Sequence, residues 1–197
     1  MNVYDFDYTV FTPDSSACFL RFCLRHHTRA VLKALLSSAD EAIRYLATGK
    51  KDAKRLKEAL FSFLNRVDNI EAIVDEFWEC HIDHLQSWYL EQKQPDDLII
   101  SASPEFLLRP ITDRLGVALM ATRMNPWTGQ IKGKNCHDEE KVRRFLEVYP
   151  ADSVDRFYSD SLCDIPMARM ADEAFLVVNG RVIPWPIDGS KKTKPSL

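Results

Sequence analysis

Glycine is scarce, with 6 in 197 residues alongside 10 prolines. A collagen-like chain needs glycine at every third position, and a long disordered one needs a surplus of both residues, so neither class fits. Cysteine is scarce too: Cys18, Cys23, Cys80, Cys136 and Cys163 are odd in number and none is paired at Cys-x2-Cys spacing. That excludes a small disulfide scaffold and leaves reduced, mostly buried thiols as the expected state. No excess of one charge is present either. The 26 Lys and Arg against 29 Asp and Glu give a formal charge of -3, which lacks the electrostatic footprint of a general nucleic-acid binder. No run approaches the length of a membrane span, and Met1-Asn2-Val3-Tyr4-Asp5 has no basic region ahead of an apolar stretch. The expectation is a protein without a transmembrane segment and with a cytoplasmic location.

What is present is a folded composition, 46% hydrophobic and 28% charged. Val3-Tyr4-Asp5-Phe6 reads as a strand running into a loop at Thr9 to Pro13. From Asp14 to about Glu91 the texture changes to helix-forming residues without strand-like alternation. A first helix starts near Asp14 or Ser15, either of which would cap it, and runs through Phe19, Phe22 and Cys23 toward Leu36. A turn is expected at Gly49 to Arg55. A second helix uses Leu56, Leu60, Phe63 and Leu64, and a third uses Ile70, Ile73, Val74, Phe77 and Trp78 before continuing toward Tyr89.

Beyond Pro95 strands and helices alternate. Strands are expected at Leu98 to Ile100, Leu115 to Thr122, Val154 to Tyr158, Ala174 to Val178 and Val182-Ile183. Ala102-Ser103-Pro104-Glu105 resembles a capped helix start, and Glu139 to Val148 a helix packing through Val142, Phe145, Leu146 and Val148. The expected fold is therefore α/β, a Rossmann-like three-layer core with a mostly parallel sheet and an inserted all-helical cap. Its core would comprise residues 1–14 and 92–187, its cap 15–91, and a flexible tail 188–197.

Open α/β sheets place ligands beyond the carboxyl ends of their strands, where Asp5, Ser101 and Asp160 each fall. If the extended geometry continues through Phe6, Asp5 and Asp7 share a face. A carboxylate attacks phosphorus, and a neighbouring carboxylic acid protonates the leaving oxygen and later activates water. Asp5 suits the nucleophile and Asp7 the acid/base.

Asp5-Phe6-Asp7-Tyr8-Thr9-Val10 resembles the first motif of the haloacid dehalogenase-like phosphohydrolase superfamily, especially its phosphoserine-phosphatase-like branch. The resemblance extends in segment order over nearly the whole chain. It implies an aspartyl-phosphate on Asp5 and general acid/base chemistry at Asp7, with Tyr8 replacing the small or basic residue common there. Ile100-Ser101-Ala102-Ser103 resembles the second motif, which implies phosphate binding by Ser101 and the Ala102 backbone, alongside Thr9. Lys141 matches the third-motif lysine, with Lys132 and Lys134 as competitors. Ser159-Asp160-Ser161-Leu162-Cys163-Asp164 resembles the fourth motif, Ser159 replacing a common glycine. The implied cofactor is Mg²⁺, held by Asp5, the backbone carbonyl of Asp7, and Asp160, with Asp164 supporting the metal or Lys141. Asp14 corresponds to an acidic substrate-recognition position but equally suits a helix cap, and Arg55 is a candidate for binding a substrate carboxylate.

The implied activity is that of a Mg-dependent phosphoric monoester hydrolase on a small phosphorylated metabolite, phosphoserine among the candidates. Two alternatives stand beside it. Arg21, Arg25, His26, His27, Arg29 and Lys33 amid apolar residues suit a membrane-surface lipid-phosphate phosphatase, or else solvated cations on a closing cap. A noncatalytic phosphate-binding or interaction module would retain the same fold. Cys80, His81 and His84 lack a complete ligand set, so a structural role is expected there.

Overall fold

The computed structural model describes residues 1–26, 28–37, 39–40, 43 and 53–186. The expected tail at 188–197 and most of the expected turn at Gly49 to Arg55 lie outside the described residues. Six strands, β1 (Asn2–Tyr4), β2 (Leu98–Pro104), β3 (Ala118–Thr122), β4 (Arg156–Ser159), β5 (Glu173–Val178) and β6 (Arg181–Pro184), form one sheet in the order β3-β2-β1-β4-β5-β6. Every pairing is parallel except the β5–β6 hairpin. There Asn179 and Gly180 both take positive φ, 51° and 75°, the geometry that a tight hairpin turn requires.

Alternation along the strands builds a core on each face. Val3 packs with Leu98, Ile100 and Phe157, whereas Tyr4 packs on the opposite side with Ile99 and Tyr158. Tyr4 lies opposite Tyr158 in register and stacks on it at 4.7 Å. One face is covered by helices α7 (Glu139–Leu146) and α8 (Ile165–Ala168), through Phe145, Met167 and Ala168. The other carries α1 (Ser15–His26), α2 (Thr28–Ser37), α3 (Ala53–Leu60), α4 (Ile70–His81), α5 (Ser87–Gln92) and α6 (Glu105–Leu115). All but α6 are inserted between β1 and β2. The chain is thus a three-layer α/β protein with a helical insertion.

The insertion shares the hydrophobic core of that face: Phe19, Phe61, Phe77 and Trp78 belong to the same buried cluster as Tyr4 and Phe6. Helix α4 buries Ile70, Ile73, Val74, Phe77 and Trp78 along one stripe, and the Asn69 side chain accepts from Ala72 N at its start.

Several boundaries differ from expectation. The expected second helix splits, because α3 ends at Leu60 and Phe61–Arg66 continues as a 3-10 helix that buries Phe61, Phe63 and Leu64. The third stops at His81 and resumes as α5 at Ser87. Strand β1 ends at Tyr4, where the Phe6 carbonyl accepts from the amides of Thr9, Val10 and Phe11 and bends the chain into a loop. Leu115 remains helical, and Gly116, at φ 71°, caps α6 before β3 begins. Helix α6 starts at Glu105 without a side-chain cap, so the Ser103 cap expected there does not form. Helix α7 stops at Leu146 rather than Val148; its covered face carries Glu140, Lys141, Arg144 and Phe145, while Leu146 and, beyond it, Val148 are exposed.

Candidate active site

The carboxyl ends of β1, β2 and β4 converge, and each delivers a residue singled out by the sequence. Asp5 follows β1 directly, and its amide donates to the Tyr158 carbonyl at 2.8 Å, fixing it beside β4. The loop then turns through Tyr8, which takes φ 56° and stays half exposed. The loop, not an extended strand, brings Asp7 within electrostatic reach of Asp5.

Lys141 is 2% exposed and projects from the first turn of α7. Its Nζ donates to Asp5 Oδ1 at 2.7 Å and to Asp164 Oδ2 at 2.8 Å. Asp164 also accepts from the Ser159 hydroxyl at 2.8 Å, so four residues from three motifs form one buried network. Burial opposes the Lys141 charge, but Asp5 and Asp164 outweigh it and hold the ammonium protonated. Burial drives the Asp5 carboxyl upward despite Lys141, with Asp164 and Asp7 adding repulsion. Asp160, partly exposed, is pushed up to about 6, chiefly by burial. Lys132 and Lys134, the competitors for the lysine position, are exposed.

Asp7 is committed differently. Its Oδ1 accepts from Ser15 N at 2.7 Å and its Oδ2 from Ser103 Oγ at 2.5 Å. Ser103, expected to cap a helix, therefore orients the carboxylate, and its hydroxyl also meets Ser15 and Ser16. Ser101 is buried, and its Oγ accepts from Ser103 N at 3.0 Å, where the register of β2 against β3 shifts between Ser101 and Pro104. Thr9 is fully buried and its Oγ1 accepts from Asp160 N at 2.9 Å, joining the two acidic loops. Asp14 caps α1 by accepting from Ala17 N at 2.7 Å. Arg55 is exposed.

Two residues with no distinguishing sequence signal enter the site. Arg144 is buried and clamps the surrounding loops, donating to the Ala121 and Lys134 carbonyls at 2.7 and 2.6 Å while pairing with Glu140. Lys57 of α3 donates to the Ala102 carbonyl at 2.7 Å and to Asn135 Oδ1 at 3.1 Å. Thr122 Oγ1 donates toward the same two acceptors, so the insertion is tied to the ends of β2 and β3. Beside this contact opens a cavity of about 690 Å³ between the insertion, the end of β2 and the loop that follows β3. Asp160 borders a second cavity of about 540 Å³, shared with Tyr8, Thr12 and the β5–β6 turn.

The donors around Asp5 are hard oxygens. Among the described residues no group of three or more His, Cys, Asp or Glu side chains is placed to hold a metal ion. The Asp7 and Asp164 carboxylates are engaged as described, which leaves Asp5, Asp160 and backbone oxygen as the donors at hand. Also among the described residues, no helix is long and apolar enough to cross a membrane.

The fold has known counterparts. A protein with unknown function from Bordetella pertussis is similar at TM-score 0.71 and 22% identity, over 88% of this chain and 87% of that one. A phosphoserine phosphohydrolase-like protein from Francisella tularensis aligns at TM-score 0.54 and 16% identity, over 88% and 86% of the two chains. A HAD family hydrolase from Salmonella enterica serovar Typhi aligns at TM-score 0.56 and 14% identity, over 86% of this chain and 59% of that one. No curated protein matches. The sequence itself matches the family of haloacid dehalogenase-like hydrolases over residues 3–169, a span running from β1 through the whole network of Asp5, Lys141 and Asp164. The chain belongs to the haloacid dehalogenase-like hydrolase family.

Proposed function

We propose that the protein is a phosphomonoester phosphatase working through an aspartyl-phosphate on Asp5. The observation that carries this reading is the buried Lys141 ammonium hydrogen-bonded to both Asp5 and Asp164. In that setting Asp5 attacks phosphorus as the ester P–O bond breaks, and Asp7 gives its proton to the leaving oxygen. In the second half Asp7 takes a proton from water, which attacks the acylphosphate and releases phosphate and free Asp5. Lys141, the Ser101 hydroxyl and the backbone amides at the carboxyl end of β2 stabilise the phosphoryl oxygens.

Magnesium fits the donor set, because it takes one or two carboxylates and keeps several waters. Asp5, Asp160 and the Asp7 carbonyl would hold it, in a site where Asp5, Asp160 and Asp164 all act on the ammonium of Lys141. When bound it would supply positive charge to the phosphoryl group.

A second reading, action at a membrane surface on lipid phosphates, is favoured by α2. There Leu32 and Leu36 are 49% and 70% exposed, next to the exposed Arg29 and Lys33.

The test is phosphate release from a panel of small phosphomonoesters and lipid phosphates, with Asp5→Asn and chelator controls. Release that needs both Asp5 and Mg²⁺ supports the phosphatase reading, and the preferred substrate separates its two versions. Release unaffected by Asp5→Asn would overturn it.

A further inference from the structure

Lys57 has no part in the chemistry just described, yet its surroundings call for an anion. Both of its hydrogen-bond acceptors, the Ala102 carbonyl and Asn135 Oδ1, are neutral. Among the described residues no carboxylate lies within ion-pair distance of it. An ammonium has three N–H donors, and these two acceptors use two of them. Burial pulls its pKa below the ordinary lysine value, with Asp7 and Asp14 opposing the shift from a distance. A part-buried cation with no carboxylate in contact is costly to maintain, and a ligand anion lowers that cost.

The surface Lys57 retains borders the cavity of about 690 Å³, which also reaches Ala102, the residue after Ser101. That volume is far larger than a phosphoryl group needs and is typical of a small-molecule site. Its charges are one-sided. Lys54 and Lys134 line it together with Lys57, and the one acid on its wall among the described residues, Asp14, already has an oxygen engaged in capping α1. Leu20, Leu56, Leu60 and Phe61 make another part of the wall apolar.

We infer that this cavity receives a leaving group bearing a second anionic group, a carboxylate or a phosphate, and that Lys57 is the specificity-determining residue that binds it. The inference rests on the phosphatase reading for the position of the reacting phosphoryl group. A charge-assisted hydrogen bond in such a site corresponds to about tenfold to a hundredfold in affinity.

Three substrates whose leaving groups share a three-carbon skeleton and differ at its far end separate the possibilities: glycerol 3-phosphate ends in a hydroxyl, 3-phosphoglycerate in a carboxylate and glycerol 1,3-bisphosphate in a phosphate. The wild-type protein should favour one of the anionic members by at least about tenfold in kcat/KM, expressed mainly in KM. Lys57→Gln should bring the three within about threefold of one another, and Lys57→Arg should keep most of the preference. The ratio between substrates does not depend on how much of a variant is folded. Calorimetric binding of the same three compounds to Asp5→Asn, with and without Lys57→Gln, gives a readout that needs no turnover. Failure of p-nitrophenyl phosphate hydrolysis would count against the phosphatase reading, whereas the binding series would still decide the role of Lys57. Equal affinity for all three compounds, or a preference that survives Lys57→Gln, would overturn the inference.

Discussion

Replacing Lys141 by methionine tests the central network through stability as well as activity. The side chain keeps its length and apolar stem but loses the ammonium that bridges Asp5 and Asp164 at 2.7 and 2.8 Å. Two hydrogen bonds to charged partners vanish, each worth about 1.5–3 kcal/mol. The two carboxylates are left buried without their counter-charge, and breaking such a pair from one side costs about 3–5 kcal/mol. The two routes overlap, so about 3–5 kcal/mol is the expected loss at alkaline pH, a large part of the 5–15 kcal/mol typical of a domain. Urea denaturation in the presence of a chelator reads it directly. With a slope of about 2–3 kcal/mol per molar, the midpoint should fall by about 1–2 M.

The pH dependence sharpens the test. Asp5 is already pushed up to about 8 in the wild-type protein, burial being the leading cause and Lys141 the main opposing one. Without Lys141 its folded pKa rises further above the unfolded value. A raised folded pKa contributes stability that is fully present below the unfolded pKa and is lost as pH rises through the folded one. The variant should therefore approach the wild type near pH 5 and fall well below it near pH 9. A loss under about 1 kcal/mol at the higher pH, or one equal at both pH values, would refute this account of the network.

Other consequences are open to measurement. Glu140 is held down to about 2 by hydrogen bonds from Arg143 first, with Arg144 adding to them, against an ordinary 4.5. Its stabilisation is present above about 4.5 and lost as pH falls toward 2, so Glu140→Gln should flatten the acid limb of the stability curve. Solvent around the half-exposed Arg143 keeps that contribution modest, and an unchanged acid limb would contradict it. Gly129, in the loop after β3, takes φ 73°, and a β-carbon there would run into the Phe61 carbonyl oxygen. Gly129→Ala should cost about 1–3 kcal/mol, seen as a lowered melting temperature, and a neutral result would mean that the loop does not press on the insertion.

Much of the fold is legible in the sequence because β-branched and aromatic runs mark strands, and because the five strands from β2 onward follow one another at short intervals. Residues of the first, third and fourth motifs meet: Lys141 bonds to both Asp5 and Asp164, although 136 and 23 positions separate the bonded pairs. Ser103 was harder to read. Serine two residues before a helix suggests a cap, and only the tertiary placement of Asp7 turns its hydroxyl elsewhere. Lys57 carries even less signal, since a lysine in an Ala-Lys-Arg-Leu-Lys-Glu run looks like any solvated helical charge. The ends of β1 and α3 depend on hydrogen bonds to a single carbonyl and on packing of Phe61, neither of which has a local pattern.

The strand order sets the sequence in which the site can assemble. The three-residue β1 pairs only with β2 and β4, whose partner residues lie from Leu98 onward and from Arg156 onward. During synthesis Asp5 emerges well ahead of its partner, because the Tyr158 carbonyl that holds its amide follows more than 150 residues later. The helical insertion is complete well before that point, so its exposed aromatic face must wait for the sheet it covers. A nascent chain interrupted before β4 carries every residue of the first motif but lacks the strand whose Tyr158 carbonyl holds the Asp5 amide. Ribosome stalling in that interval would leave a collapsed species in which Lys141 has not yet met Asp164 and the buried network is incomplete.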